Sequence, residues 1–456
     1  MTAITLIIIS PKVATQVTQT NPHLNCERPK LLPRFFKPIT GGPTMFDIGE
    51  ADWKPWRTIY AKGFHSDRIN SLVPGMVQEA LTYAKTLRDV AKKGEMTFLE
   101  PITLRFTIDM IGKTILNSSL GAQTGYNALA DGMLSQIRWW HNANNSVNPL
   151  SKLNFVRDFM QWKNGRQMNQ YIGDELDKRY EEYKTNPNSA KSVSIIDLTL
   201  RAYLSGPYKS SNPPARLDPD FRAFTIRQIR LFVFAGHDST ASSICYAFYC
   251  LSKHPEALAR LREEHDKVLG KNPTEAASKI AAEPHLLNAL PYTLAVLKES
   301  MRLFPPAGAS REGSAGVNLT NDAGQACPTE GTILWILHPE IHSWEKYWVR
   351  GNEFLPERWL VPEGHELYPR PGTWRPFEVG PRNCIAQAMV MVELKVVLAC
   401  LARELDITPA YEEWDRKNGV KSESKLVHGE RAYLIEKGAS HPVGGFPCRV
   451  SLAQRN

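Results

Sequence analysis

Phe377-Glu378-Val379-Gly380-Pro381-Arg382-Asn383-Cys384 sets one cysteine behind a glycine turn, at the mouth of a long apolar run. Gly380 can take a positive φ without steric cost and Pro381 stiffens the turn, so the N–H groups that follow can point at the sulfur. A helix starting near Ile385 adds its positive end. Together these features predict a lowered thiol pKa and an anionic sulfur that can hold a metal. A lone buried cysteine is more often structural than ligating, so the reading depends on what else the chain carries.

Composition narrows the classes. The chain has 456 residues, 42% of them hydrophobic, which is ample for a large core and excludes disorder. No Gly/Ser linker or repeat divides it, and motifs from Trp53 to Cys384 would have to meet at one site, which argues for one domain over residues 1–456. Seven cysteines, an odd number without a C-x-x-C pair, speak against a disulfide framework or a zinc site and fit a reducing compartment. The net charge of +8 has no Lys/Arg run interleaved with aromatics, so no nucleic-acid partner is expected. It leaves solubility, or a basic face for an acidic redox partner, as readings. Ile4 to Ile9 is apolar but stops at Ser10-Pro11, far short of the roughly 20 residues that span a bilayer. It reads as a buried strand followed by a helix at Lys12–Thr18, with no transmembrane anchor.

The run Phe377-x-x-Gly380-x-Arg382-x-Cys384 resembles the haem-binding loop of the cytochromes P450, with Ala386 where that family usually has glycine. The resemblance extends from about residue 3 to the carboxyl terminus and is greatest to fungal microsomal-type members. It implies a mainly helical fold with a minor sheet near the amino terminus, Cys384 as the ligand of a haem b iron, and Arg382 at a propionate.

Three further constellations agree. A helix from about Phe221 to Ser252 is apolar nearly all round and belongs at the centre of the molecule. Within it lies Ala235-Gly236-His237-Asp238-Ser239-Thr240. An interior glycine and a buried carboxylate are both costly in a core helix. Gly236 is expected to let the backbone approach a flat cofactor and open a local bulge. Asp238 with the hydroxyls of Ser239 and Thr240 resembles the family's acid-alcohol pair, which passes protons to bound oxygen, although serine stands in the usual threonine place. The competing reading is that the hydroxyls only bond back to the preceding helical turn.

The second constellation, Glu299-Ser300-Met301-Arg302, lies on an expected helix from Leu286 to Phe304. Its i,i+3 pair shares one face. The resemblance makes Glu299, Arg302 and Arg358 of Pro356-Glu357-Arg358 an internal network supporting the cysteine loop. The third is Trp53-x-x-x-Arg57, which with Arg311 takes the place of the family's propionate-binding residues.

Substrate-lining positions are expected before Trp53, on the central helix face, at Ala307-Gly308-Ala309 and near Ala439-Ser440-His441. The Ser205-Gly206-Pro207 to Pro213-Pro214 stretch reads as an exposed connector.

The expected activity is insertion of one oxygen atom from O2 into a lipophilic small molecule, in fungal secondary metabolism. Electrons would come from NADPH through a cytochrome P450 reductase. The expected location is the reducing side of the cell, at the cytosolic face of the endoplasmic reticulum with a peripheral membrane contact. Two alternatives stand beside it: a haem-thiolate isomerase or dehydratase that uses no O2, against which the acid-alcohol pair argues, and a non-catalytic haem-binding protein.

Overall fold

The computed structural model describes residues 4–144, 154–186, 193–205, 214–419 and 426–454. Asp218-Pro219 starts the longest helix among them. The Asp218 carboxylate accepts from the Phe221 N–H at 2.9 Å, and Pro219 stands at the first helical position, where no backbone donor is needed. This central helix, Pro219–Lys253, stops where His254-Pro255 opens the next one, Pro255–Leu269. It packs along Leu99–Leu116 and against Phe155–Thr185 and Pro291–Leu303, and most of its residues from Thr225 to Leu251 are buried. Helices form most of the described structure, as the sequence suggested.

The sheets are small, and they are not confined to the amino terminus. Ile4–Ile8 runs parallel to Thr332–Ile336, which pairs antiparallel with Ala309–Glu312. Thr97–Phe98, Pro447–Leu452 and Leu405–Pro409 form a second sheet, and Leu434–Lys437 with Ala439–Pro442 makes a hairpin over the central helix. The expectation of a buried first strand is corrected. Ile4–Ile8 is an edge strand whose alternate residues Leu6 and Ile8 face a small apolar cluster with Leu334 and Ile336, while Ile4 and Ile7 are 67% and 61% exposed.

Two helices also differ from expectation. Pro11–Thr15 is α-helical but passes into a π turn at Gln16–Thr20, closed by Asn21 N–H donating to Gln16 O at 3.0 Å. The expected Leu286–Phe304 helix is broken, with a 3₁₀ stretch at Pro284–Ala289 and an α-helix only from Pro291 to Leu303. Pro291 lacks an N–H and forces Leu290 off helical geometry, to φ −112° and ψ 62°. The proposed connector lies outside the described residues between 206 and 213. Among the described residues no helix is long and apolar enough to cross a membrane.

Candidate active site

The cysteine loop is fastened from both sides. The Cys384 N–H donates to Phe377 O at 2.8 Å, and the Asn383 N–H to Gly380 O at 3.1 Å. Gly380 has φ +93°, and a Cβ there would stand 1.9 Å from Thr18 O, so the loop lies against the π turn in a way only glycine allows. The Arg57 guanidinium donates to Asn383 O at 2.9 Å and to Asn383 Oδ1 at 2.7 Å, which brings the Trp-x-x-x-Arg helix, Glu50–Ala61, directly onto the loop. The Ala386 N–H points at the sulfur, as expected.

The expected fall in thiol pKa is not found. Burial raises the Cys384 pKa, and the Ala386 N–H and the Arg57 charge pull it only partly back. The helix itself begins at Gln387, two residues later than expected, so its positive end is further from the sulfur. A coordinating metal removes a thiol proton outright, so burial does not oppose the ligand role.

Behind the loop the Glu299–Arg302–Arg358 network is complete. All three side chains are fully buried. Glu299 Oε1 accepts from Arg302 Nη2 at 2.7 Å, Arg358 Nε at 2.9 Å and the Leu355 N–H at 3.0 Å. Glu299 Oε2 accepts from Arg302 Nε at 2.9 Å and Trp359 Nε1 at 3.0 Å. The remaining guanidinium donors reach the carbonyls of His342, Gly351 and Glu353 from Arg302, and those of Val349 and Arg350 from Arg358. His342 carries the network to the loop. Its Nδ1 meets Arg302 O at 3.0 Å and its Nε2 accepts from the Arg375 N–H at 2.9 Å.

Arg375 Nε in turn donates to Glu378 Oε1 at 2.8 Å, two residues before Gly380. Glu378 is held down at a pKa of about 2: burial opposes ionisation, but His338 at 3.2 Å and Arg375 outweigh it. Sequence reading missed Arg375, Glu378, His338 and His342, whose partners are scattered along the chain.

A cluster of guanidiniums lies beside the loop. Arg382 donates to the carbonyls of Cys26, Met45 and Ile48 at 2.9, 3.2 and 2.7 Å and lies 4.2 Å over the Trp53 ring. Arg311 is fully buried and donates to Asn25 O and Ser310 O, yet its Nη2 has no partner among the described residues. Arg28, which no sequence motif marked, donates to Ser310 O and has an unpartnered Nε. Burial lowers the pKa of all three, Arg382 to about 10; Arg311 and Arg382 lower Arg28 further, Arg311 lowers Arg382, and Arg375 lowers Arg311. Three crowded cations, with spare buried donors on Arg28 and Arg311, fit an anion.

On the other side, the central helix carries a short accessible stripe. Ala235 is exposed and Gly236 and Ser239 are half-buried, amid buried neighbours. The expected bulge at Gly236 is absent: the backbone is α-helical throughout, and a Cβ there would stand 2.5 Å from Ile111 of the Leu99–Leu116 helix. The glycine therefore serves helix–helix approach. Ser239 Oγ donates to Ala235 O at 2.8 Å, the back-bonded arrangement weighed from sequence, which still leaves its lone pairs as acceptors. Thr240 Oγ1 is buried without a partner among the described residues.

Asp238 is fastened to neither hydroxyl. Its Oδ2 accepts from the Ala439 N–H at 2.7 Å, and its Oδ1 lies 3.2 Å from His441 Nε2. Burial alone would raise its pKa, but the facing His441 wins and lowers it.

Haem b presents two carboxylates, a flat apolar body and an iron open to sulfur ligation. The residues fit it: Cys384 would supply the sulfur, and the orphaned Arg311 Nη2 lies in a guanidinium cluster suited to the carboxylates. When bound, haem would supply the activation and transfer of oxygen, while the chain would supply the ligand, the proton donors and the water-excluding walls.

Comparison with known proteins gives the family. A family model described as cytochrome P450 matches residues 1–433. The chain is 40% identical over 450 residues to cytochrome P450 monooxygenase polC of Polytolypa hystricis, covering 98% of this chain and 79% of that one. It is 29% identical to cytochrome P450 monooxygenase acrF of Aspergillus aculeatus, covering 97% and 91%. A crystal structure of the cytochrome P450DA heme domain superposes with a TM-score of 0.72 at 17% identity, over 98% of this chain and 88% of that one, and shows the shared fold. A sulfur loop, its buried support and a cation cluster, in a fold and sequence of this kind, have one reading: the chain belongs to the cytochrome P450 family of haem-thiolate monooxygenases.

Proposed function

We propose that Cys384 is the iron ligand, that Arg28, Arg57, Arg311 and Arg382 with Trp53 hold the haem propionates, and that Asp238, Ser239 and Thr240 deliver protons for oxygen activation. The chain acts as one catalytic domain on a lipophilic small molecule in fungal secondary metabolism. It receives electrons from NADPH through a cytochrome P450 reductase. The observation that carries the ligand assignment is the Cys384 loop itself, with its N–H pinned to Phe377 O, the Ala386 N–H aimed at the sulfur and Arg57 fixed on the neighbouring residue. Phe155, Val156, Phe159 and Trp162, all more than half exposed at one helix end, support a peripheral contact with a membrane such as the cytosolic face of the endoplasmic reticulum.

The test is Cys384→Ser. The ferrous CO complex of the variant should lose the red-shifted Soret band of a thiolate-ligated haem, since a serine oxygen is a poorer electron donor. Retention of that band would assign the ligand elsewhere.

A further inference from the structure

Asp238 belongs to a buried charge cluster that the acid-alcohol reading does not use. His441, on the strand Ala439–Pro442, lies between two carboxylates. Its Nε2 is 3.2 Å from Asp238 Oδ1 and its Nδ1 is 2.6 Å from Glu100 Oε1, close ion pairs whose angles fall short of directed hydrogen bonds. Glu100 stands in the first turn of the Leu99–Leu116 helix, and its other oxygen lies 3.4 Å from Lys437 Nζ, whose side chain is 30% exposed. The remaining group facing the ring is His237, with Nε2 4.0 Å from Asp238 Oδ1. Burial keeps His237 low, whereas the two carboxylates raise His441 to about 10. With His237 neutral, two carboxylates and two cations balance.

The backbone is shaped around this contact. Gly438 has φ +112°, and a Cβ there would stand 2.8 Å from Asp238 Oδ2. Only a glycine turn brings the Ala439 N–H and His441 together onto Asp238.

We propose that His441 is the proton-holding residue that resupplies Asp238, and that Glu100 is the positioning residue that keeps the ring loaded and aimed. This rests on the reading of Asp238 as a proton source. In the step, the Nε2–H bond of His441 breaks and an O–H bond forms at Asp238 Oδ1. No electrons move. The ring is left neutral with its other proton facing Glu100, and regains a proton from water before the next turnover, the hydroxide formed being neutralised by a proton from bulk solvent. The proton rests on His441, since Asp238 is held low and His441 is raised to about 10, and the transfer completes only as Asp238 passes a proton onward to the neighbouring hydroxyls.

The test has two parts. With ¹⁵N-histidine labelling, the His441 ring in wild-type holoprotein should stay doubly protonated through about pH 9, and Glu100→Gln should lower its pKa by about one or more, because one of two flanking charges is removed. An unchanged pKa would overturn the role of Glu100. In the second part, holoprotein, reductase, NADPH and O2 are mixed without organic substrate, and peroxide released per O2 consumed is followed against pH.

His441→Gln should raise that ratio severalfold, and Glu100→Gln should move the alkaline rise to lower pH. If Asp238→Asn raises the ratio while His441→Gln and Glu100→Gln, both haem-loaded, leave it and its pH profile unchanged, His441 is not the supplier although the Asp238 reading stands. If Asp238→Asn itself changes nothing, the parent reading fails. Should His441→Gln not fold, Glu100→Gln decides alone, since it leaves the Asp238–His441 pair in place.

Discussion

The two buried charge clusters of this protein are built to opposite rules. Behind the cysteine loop, Glu299, Arg302 and Arg358 use their donors and acceptors in directed hydrogen bonds, and Trp348 closes over both guanidiniums at 4.9 and 5.7 Å. On the central helix, Asp238, His441 and Glu100 meet by proximity. His237 Nε2, Thr240 Oγ1 and Glu100 Oε1 have no directed hydrogen bond among the described residues. A saturated network resists movement, because any displacement strands a buried charge. An unsaturated one keeps spare valences that water, ligand or a travelling proton can use. The difference separates scaffold from chemistry more sharply than burial does, since both clusters are almost wholly out of solvent.

The largest expected effect breaks the saturated side. Glu299→Ala or Arg302→Ala leaves the partner charge buried and alone, at a cost of about 3–5 kcal/mol. Such variants should fail to accumulate as folded, haem-loaded protein, as judged by soluble yield and haem content. Normal haem loading would show that the network is dispensable.

The unsaturated side should fail in function while the fold survives. Ser239→Ala/Thr240→Ala removes two small hydroxyls, one already bonded within its own helix, so haem content should stay normal. Peroxide released per NADPH consumed should rise, and by more than in Ser239→Ala alone, because Thr240 remains in that variant. General acid contributions of this kind are worth roughly 10²–10⁴-fold. An unchanged ratio would leave the hydroxyls as structural groups.

The last test concerns an exception on the saturated side. Glu393, nine residues after Cys384, is buried with an unpartnered Oε1, and burial alone pushes its pKa up to about 8. A carboxyl raised in the fold binds its proton more tightly there than when unfolded. Its contribution is therefore full below the ordinary carboxyl pKa and is lost as pH rises through about 8. Glu393→Gln should flatten that loss, each tenfold difference in proton affinity between folded and unfolded chain being worth about 1.4 kcal/mol. Melting temperatures of wild type and variant should diverge between pH 5 and 9, with the variant higher at alkaline pH; parallel curves would refute the buried acid.

How much was legible depended on whether a residue's partner lay at a fixed offset. The turn before Cys384, the i,i+3 pair Glu299/Arg302 and the Trp53/Arg57 start all announce themselves by local spacing, and the structure brings each to the same region. The central helix was readable from its all-round apolarity, and its Asp218-Pro219 start lies just ahead of the expected Phe221. At the site itself, two local expectations failed because tertiary contacts override local geometry. Gly236 answers to Ile111 of a neighbouring helix and keeps the helix regular, and burial of Cys384 outweighs the N–H and the arginine that favour its anion.

The sequence by itself determined the sulfur loop, the acid and hydroxyls of the central helix, the buried supporting pair and hence the family chemistry, because these are written in contiguous residues whose spacing the backbone preserves. Tertiary structure alone decided which charges face one another: Glu100 with His441 from distant parts of the chain, Arg28 with Arg311, and His342 linking the network to Arg375. The physical reason is that a buried charge takes its state from the nearest opposite charge and the water excluded around it, and proximity between residues so far apart in sequence exists only once the chain has packed.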